Sequence, residues 1–291
     1  MHRLVNPFEQ PGNWYKASLH NHSTTSDGEA TLAQHVVQHR QAGYHILAIT
    51  DHSLTNDVRG LSNHKMLVVS GMEYHPQCPA STISYHLVAL NVPHGFRFTN
   101  AEKANDCIAE VRTAGGESIL AHPHWCGHEY QTFKHLEGLA GVEVYNSVCD
   151  QMGRPSSENE WDSILDEGTM LPAVGVDDSH YERDGFECWT WLKMPSLSVA
   201  NFLKALRGGA CYASCGPKIH DFRIKDGKVR LRCSPAAKIH FVSGPGIGAR
   251  RCAKEGKLIT TYSIDVPDWP FIRATATDPA GRKAWANPIA L

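Results

Sequence analysis

Seven short apolar runs, set apart by helical or polar stretches, do most to limit the fold of this 291-residue chain. They occupy 14–19, 45–52, 66–73, 84–90, 118–123, 142–146 and 171–180. Continuous apolar runs of this length read as strands buried on both faces, as in parallel sheets. Helices are expected over 31–43, where Leu32, Val36 and Val37 fit one face and Gly43 is a stop, and over 102–114 and 158–167. Strands alternating with helices imply βαβ units and a mainly parallel sheet. Run after run ends in a polar group: Asp51-His52, Glu73, His122, Asn146 and Asp178-Ser179-His180. In closed α/β barrels the active site is built from the C-terminal ends of the strands. His86 is the exception, falling inside its run, which makes that strand shifted or irregular.

The first run leads into Leu19-His20-Asn21-His22-Ser23-Thr24-Thr25-Ser26-Asp27-Gly28. In extended chain, residues i and i+2 share a face. His20 and His22 therefore aim two imidazoles at one point, a pairing suited to a divalent transition metal. Asp27, where strand gives way to loop, offers a carboxylate from the rim. Fifteen of the 18 histidines lie between His20 and His180, and only His220 and His240 follow. The chemistry belongs to the first two-thirds of the chain. His35 and His39, on the first helix, are expected to be solvated.

After Gly208-Gly209 the pattern changes. A helix over 199–207 precedes short alternating strands, two of which (222–225 and 228–231) flank the hairpin signal Asp226-Gly227. With 238–242, 258–264 and 271–277 they read as a small antiparallel β-sandwich. The expected division is 1–216 for an α/β part and 217–291 for the sandwich, with no metal ligand supplied by the latter.

A formal net charge of −2 argues against an extended nucleic-acid surface. No run has the length of a membrane-spanning helix. The stretch 1–7 has no apolar h-region, so no secretion signal is expected. Nine cysteines without a Cys-x-x-Cys pair suggest free thiols and a cytoplasmic protein.

The strand-end groups are His20, His22, Asp27, His52, Glu73, His86, His122, Asp178 and His180. One ion takes about four to six ligands, so this set suits two or three. A carboxylate such as Glu73 can bridge neighbouring ions. Without metal, so many buried titratable groups would be costly.

His20-x-His22 with Ser26-Asp27-Gly28, Thr50-Asp51-His52, Gly71-x-Glu73, Ala121-His122-Pro123 and Asp178-x-His180 resemble the motifs of the PHP (polymerase and histidinol phosphatase) family. The resemblance is nearest to its stand-alone metal-dependent phosphoesterases, including a carbaryl-hydrolase-like subset with a C-terminal β domain. It covers about residues 14 to 217. It implies a distorted seven-stranded (β/α) barrel holding two or three divalent ions, commonly zinc, manganese or iron. By the same resemblance, His20, His22, Glu73 and Asp178 would hold one ion, Glu73, His86 and His122 a second, and Asp27, His52 and His180 a third. Some relatives carry histidine where Asp27 stands; the harder oxygen ligand shifts preference toward manganese or iron. Asp51 reads as the orienter of a ligand. No role is carried onto His75, His124 or Asp177.

The expected activity is hydrolysis of a small phosphate monoester or diester, with no catalytic side chain beyond a metal-activated hydroxide. The alternatives are hydrolysis of a carboxyl ester, carbamate or amide at the same centre, or a non-catalytic scaffold. The expected partner is a small-molecule phosphate ester, with no membrane and nucleic acid only as a small nucleotide. Substrate contacts are expected from loops. Arg59, Arg154 and Arg183 follow the second, sixth and seventh strands, and Asn146 ends the sixth. Arginine suits phosphate oxygens. Arg183, closest in sequence to His180, is expected to hold the phosphate.

Overall fold

The computed structural model of the chain describes residues 3–291, the side chain of Glu182 excepted. Met1 and His2, the start of the stretch read for a secretion signal, lie outside the described residues. The first part runs β1 (Asn13–Ser18), α1 (Leu32–Gln41), β2 (Ile46–Ile49), β3 (Leu67–Tyr74), β4 (Leu87–Leu90), α2 (Ala104–Thr113) and β5 (Glu117–Leu120). It continues through α3 (Tyr130–Phe133), β6 (Gly141–Asn146), α4 (Glu158–Asp166), β7 (Ala173–Val176), β8 (Trp189–Met194), α5 (Val199–Gly208) and β9 (Cys211–Ser214). Seven strands follow: β10 (Ile219–Lys225), β11 (Lys228–Ala236), β12 (Lys238–Val242), β13 (Gly248–Cys252), β14 (Ile259–Asp265), β15 (Phe271–Thr277) and β16 (Lys283–Ala290). No helix among the described residues is long and apolar enough to cross a membrane.

The architecture is mixed α/β. A 13-stranded sheet runs β13-β12-β15-β16-β9-β8-β1-β2-β3-β4-β5-β6-β7, beside a separate antiparallel sheet β10-β11-β14. β1, β2 and β3 are parallel, as are β5, β6 and β7. β4 runs antiparallel to both of its neighbours. This corrects the expectation of a mainly parallel sheet and accounts for His86. β4 begins at Leu87, and because it is reversed, its first end lies beside the last ends of β3 and β5. His86 thus joins the other strand-end groups by preceding its strand.

Every residue of β2, β3, β4, β5 and β7 is buried, as continuous apolar runs require. Beyond the strand ends, the segments after β1 and β7 are joined: His22 N–H donates to Ser179 O at 2.9 Å, and Asp178 N–H to His20 O at 3.1 Å. β8 and β9 were not among the expected strands. β8 pairs antiparallel with β1 and with β9.

The C-terminal strands divide between the two sheets. β10 and β11 form the expected hairpin, with Asp226 (φ 52°) and Gly227 (φ 71°) both left-handed, as a tight two-residue turn needs. β12, β13, β15 and β16 extend the main sheet through the β16–β9 pairing. Phe222, Val229 and Leu231 from the small sheet share one apolar cluster with Phe241, Ile272 and Ala284 from the large one. Polar ties anchor the last strands to the first part. Buried Asn287 accepts from Ala173 N–H at 2.8 Å and donates to Cys211 O at 3.0 Å. Buried Arg273 pairs with Asp162 on α4.

α1 opens on a capping box between Thr31 and Gln34. Its His35 and His39 are buried, against the expectation that they are solvated. His35 Nε2–H donates to His22 O at 2.9 Å, and His39 Nδ1–H to His35 O at 2.9 Å. The pair props the segment that carries His22. Burial holds the His39 imidazole down to a pKa of about 3. An unfolded chain protonates His39 near the ordinary 6.5, whereas the folded chain stays neutral there. Below pH 6.5 the unfolded state therefore binds more protons, and stability falls as pH drops from 6.5 toward 3. His39 contributes up to about 1.4 kcal/mol per pH unit in that window. His39→Asn keeps a donor near Nδ1 but does not titrate. Its urea stability should be lower at pH 7, where a cavity is left, yet flatter than wild type between pH 6.5 and 4. Equal slopes would remove His39 from the acid response.

Candidate metal centre

All nine strand-end groups converge on one side of the first part. His20 and His22, two apart in extended chain, both face inward, with Nε2 atoms 3.1 Å apart. Glu73, the penultimate residue of β3, is buried beneath them. Its Oε2 lies 3.5 Å from both His20 Nε2 and His22 Nε2. Asp178 Oδ1 lies 3.2 Å and 3.0 Å from the same two nitrogens. Ligand atoms about 2.1 Å from a tetrahedral ion are about 3.4 Å from one another. The five separations are therefore close to the edges of a coordination tetrahedron. Asp178 Oδ1 is buried and has no hydrogen-bond partner, and His22 Nδ1 and His52 Nδ1 are orphaned too. His52 Nδ1 is 2.9 Å from Glu73 Oε2 but lacks hydrogen-bond alignment. Buried polar atoms left in this way are ones an ion would satisfy.

Two further groups adjoin the first. Glu73 Oε1 lies 2.7 Å from His86 Nδ1 and 3.4 Å from His122 Nε2. On the rim, Asp27 Oδ2 lies 3.4 Å from His52 Nε2 and 3.5 Å from His180 Nε2. Glu73 thus presents one oxygen to each of two histidine sets. The ligand-like groupings among the described residues all lie between His20 and His180.

The charges of the cluster favour a cation. Burial resists ionisation of Glu73, but His20, His122 and His52 hold its carboxyl well below the usual range. Asp178 is likewise held low, burial being overcome by His20 and His22. Burial disfavours the charged form of His20, yet Asp178, Glu143 and Glu73 raise its pKa well above 6.5. The same balance raises His122. Bound divalent ions would supply the positive charge that these imidazoles otherwise carry.

Hydrogen bonds fix the rings. His20 Nδ1–H donates to Glu143 Oε1 at 2.7 Å, leaving Nε2 to face the cluster. His180 Nδ1–H donates to Asp178 O at 2.8 Å, which turns its Nε2 toward Asp27. The backbone is strained at two of the nine groups, His122 (φ 24°) and Asp178 (φ 59°), a cost that recurs at functional sites.

Several expected roles are corrected by placement. Asp51 acts on the backbone that carries His22 and Asp27: its Oδ1 accepts from Ser23 N–H at 2.7 Å and Ser26 Oγ–H at 2.6 Å, pinning the turn between them. Asn146 is buried, and its amide donates to Glu143 Oε2 and Asp178 Oδ2, both at 3.0 Å. It ties two carboxylates together and has no donor left for a substrate. Arg59 is exposed and pairs with Asp57, its Nε 2.8 Å from Oδ1. Arg154 is exposed beside Gly127. His124 turns to Glu160 at 2.8 Å, and Asp177 binds the backbone of Phe186 and Cys188 at 2.7 Å.

Arg183 lines a groove of about 570 Å³ with Asp150, Asp184 and Glu187, next to the metal cleft and not in it. The cleft proper, about 230 Å³, is lined by His52, Glu73, His86, His122, Asp178 and His180, with Trp125, Val148, Cys149, Gln151 and Met152. Arg183 is three-quarters exposed, lies among carboxylates and is not part of the cleft lining. Arg183→Ala should change kcat/KM less than about threefold on any phosphate ester, as for a solvated surface charge. A loss of tenfold or more would return it to the site.

Three residues near the site escaped the sequence reading, and His75, to which no role was given, joins them. Glu143 was visible as a lone acid inside an apolar run. His75 (Nε2 3.6 Å from Glu73 Oε1) and Cys126 (Sγ 3.6 Å from His122 Nδ1) adjoin ligand motifs, and Trp125 packs on His86 and His122.

No family model matches the chain, and no curated protein matches it. Among solved structures, it is similar over 99% of its length to a two-domain protein from Bacteroides vulgatus containing a predicted PHP-like metal-dependent phosphoesterase. The match covers 98% of that chain at 15% identity, with a TM-score of 0.55. A protein from Bifidobacterium adolescentis, proposed to be a metal-dependent phosphoesterase, matches 66% of this chain and 96% of its own at 17% identity, TM-score 0.45. A lesion-specific endonuclease from Pyrococcus furiosus matches 67% of this chain and 56% of its own at 11% identity, TM-score 0.45. The last two scores are too low to bear on the fold. Along nearly its whole length, the chain shares the fold of the PHP-like two-domain protein from Bacteroides vulgatus.

Proposed function

We propose that this chain is a metal-dependent hydrolase of small phosphate esters, monoester or diester, with a site for two or three divalent ions. The supporting observation is the set of His20, His22, Glu73 and Asp178 donor atoms, spaced 3.0–3.5 Å apart and sharing Glu73 with a second histidine pair. In this reading those four hold one ion, Glu73, His86 and His122 a second, and Asp27, His52 and His180 a third. Such ions supply Lewis acidity and lower the pKa of a water so that it attacks at neutral pH. The chain's own part is to hold the ligands rigid, place the ester in the cleft and exclude bulk water. Water adds to phosphorus, the ester P–O bond breaks, and a proton passes to the departing alcohol oxygen. We further propose the seven strands β1 to β7 as a distorted barrel, closed by the bonds between the segments after β1 and β7. The chain is divided at 216/217, as in the phosphoesterase subset with a C-terminal β domain.

The test is elemental analysis of protein purified without chelators, followed by assay of the manganese-loaded form on phosphomonoesters, phosphodiesters and carboxyl esters. At least two metal equivalents and phosphate release are expected. Strong turnover of carboxyl esters with none of phosphate esters would overturn the proposal.

A further inference from the structure

Apart from its metal-facing groups, the cleft is apolar. Trp125, Val148, Cys149 and Met152 line it, with Gln151 as the one neutral polar side chain. Trp125 comes from the loop after β5. It stands across the His122 ring at 82°, with centroids 5.2 Å apart. Met152 ends a short helical turn after β6 and leaves 68% of its surface exposed at the cleft. An exposed methionine lining the same cleft as a tryptophan gives that cleft an adaptable apolar wall.

Among the described residues, no lysine or arginine lines the cleft. Arg183 sits in the adjoining groove among Asp150, Asp184 and Glu187, so that groove repels anions more than it attracts them, and Arg154, exposed beside Gly127, is not part of the cleft lining. Beyond the ions, the cleft lining offers no lysine or arginine to a second phosphate or a carboxylate, and in the groove Arg183 faces three carboxylates.

We infer that the substrate is a phosphate ester of a neutral aryl alcohol, its ring held between Trp125 and Met152 and its scissile phosphate the only anion. The inference rests on the phosphoesterase reading and narrows it. Burying one face of a ring against these two side chains is worth about 10- to 100-fold in selectivity over a polar alcohol of similar size.

The experiment pairs turnover with binding. The manganese-loaded protein is assayed on phenyl phosphate, glycerol 2-phosphate and a nucleoside bisphosphate. Calorimetry measures its affinity for the non-hydrolysable phenylphosphonate and methylphosphonate. Phenyl phosphate should exceed both other substrates in kcat/KM by about 10- to 100-fold, and phenylphosphonate should bind tighter than methylphosphonate by a similar ratio. Trp125→Ala and, separately, Met152→Ala should shrink both ratios to less than about fivefold, with metal content equal to wild type. Turnover without aryl preference, tighter handling of the bisphosphate, or ratios unmoved in both variants would overturn this inference alone. No turnover of any phosphate ester and no phosphonate binding by a metal-loaded protein would overturn the phosphoesterase reading with it.

Discussion

Glu73→Gln should release at least one metal equivalent and lower kcat/KM by about 10³-fold or more, about 4 kcal/mol of transition-state stabilisation. The residue's geometry sets that size. Its Oε1 faces His86 and His122, while its Oε2 faces His20, His22 and His52. Glutamine keeps the shape but replaces one oxygen with an NH₂ group. Whichever way the amide turns, a donor then points into one of the two sets where an ion needs an acceptor. The lost negative charge also weakens the attraction of every cation in the cluster, and burial leaves that loss almost unscreened. Metal-loaded wild type and variant should therefore differ in Tm far more than the two chelated proteins do, because ligand binding stabilises only the folded state. Elemental analysis and thermal melts with and without chelator provide the check. Full metal content with wild-type kcat/KM would remove Glu73 from the centre.

The convergence of the nine groups was legible because a strand end is a local feature. An apolar run that stops at a polar residue places that residue on the rim of the sheet, whatever the partner strands are. The Asp226-Gly227 hairpin was legible for the same reason, since a two-residue turn states its own backbone requirement. What needed the structure were pairings distant in sequence. The direction of β4 depends on β3 and β5, and with it the placement of His86. The union of β16 with β9 joins residues distant in the chain, such as Ala213 and Trp285, so the expected sandwich contributes strands to the main sheet. β8 was readable in principle, since Trp189–Met194 alternates in burial, but its four-residue partner β9 carries no period of its own. The burial of His35 and His39 and the displacement of Arg183 turn on which side of a helix or loop meets the protein. Polarity alone does not decide that.

Glu143→Gln should weaken metal binding by about 10- to 100-fold and reduce kcat/KM to match, although Glu143 is not among the proposed ligands. Its Oε1 accepts from His20 Nδ1–H at 2.7 Å, and its Oε2 accepts from the His122 backbone N–H at 2.9 Å and from Asn146 Nδ2–H at 3.0 Å. One buried carboxylate thus sets the ring tautomer of His20 and anchors the strained backbone of His122. Glutamine has one acceptor to divide between these donors. If its NH₂ group faces His20, Nδ1 must accept, the proton moves to Nε2, and the ring can no longer ligate through that nitrogen. If the NH₂ group faces His122, a buried backbone N–H loses its acceptor, at a cost of about 1–3 kcal/mol. Either outcome impairs the centre while leaving the nine proposed ligands chemically intact. A merely structural role would lower Tm without altering the His20 tautomer. Competitive chelator titration gives the metal affinity, and ¹⁵N histidine spectra of the zinc-loaded protein, in which an ion on Nε2 keeps the ring neutral, give the tautomer directly. Glu143→Asp, which keeps two acceptors on a shorter arm, should recover part of the affinity. Unchanged metal affinity in Glu143→Gln, with His20 still protonated at Nδ1, would reduce Glu143 to a packing residue.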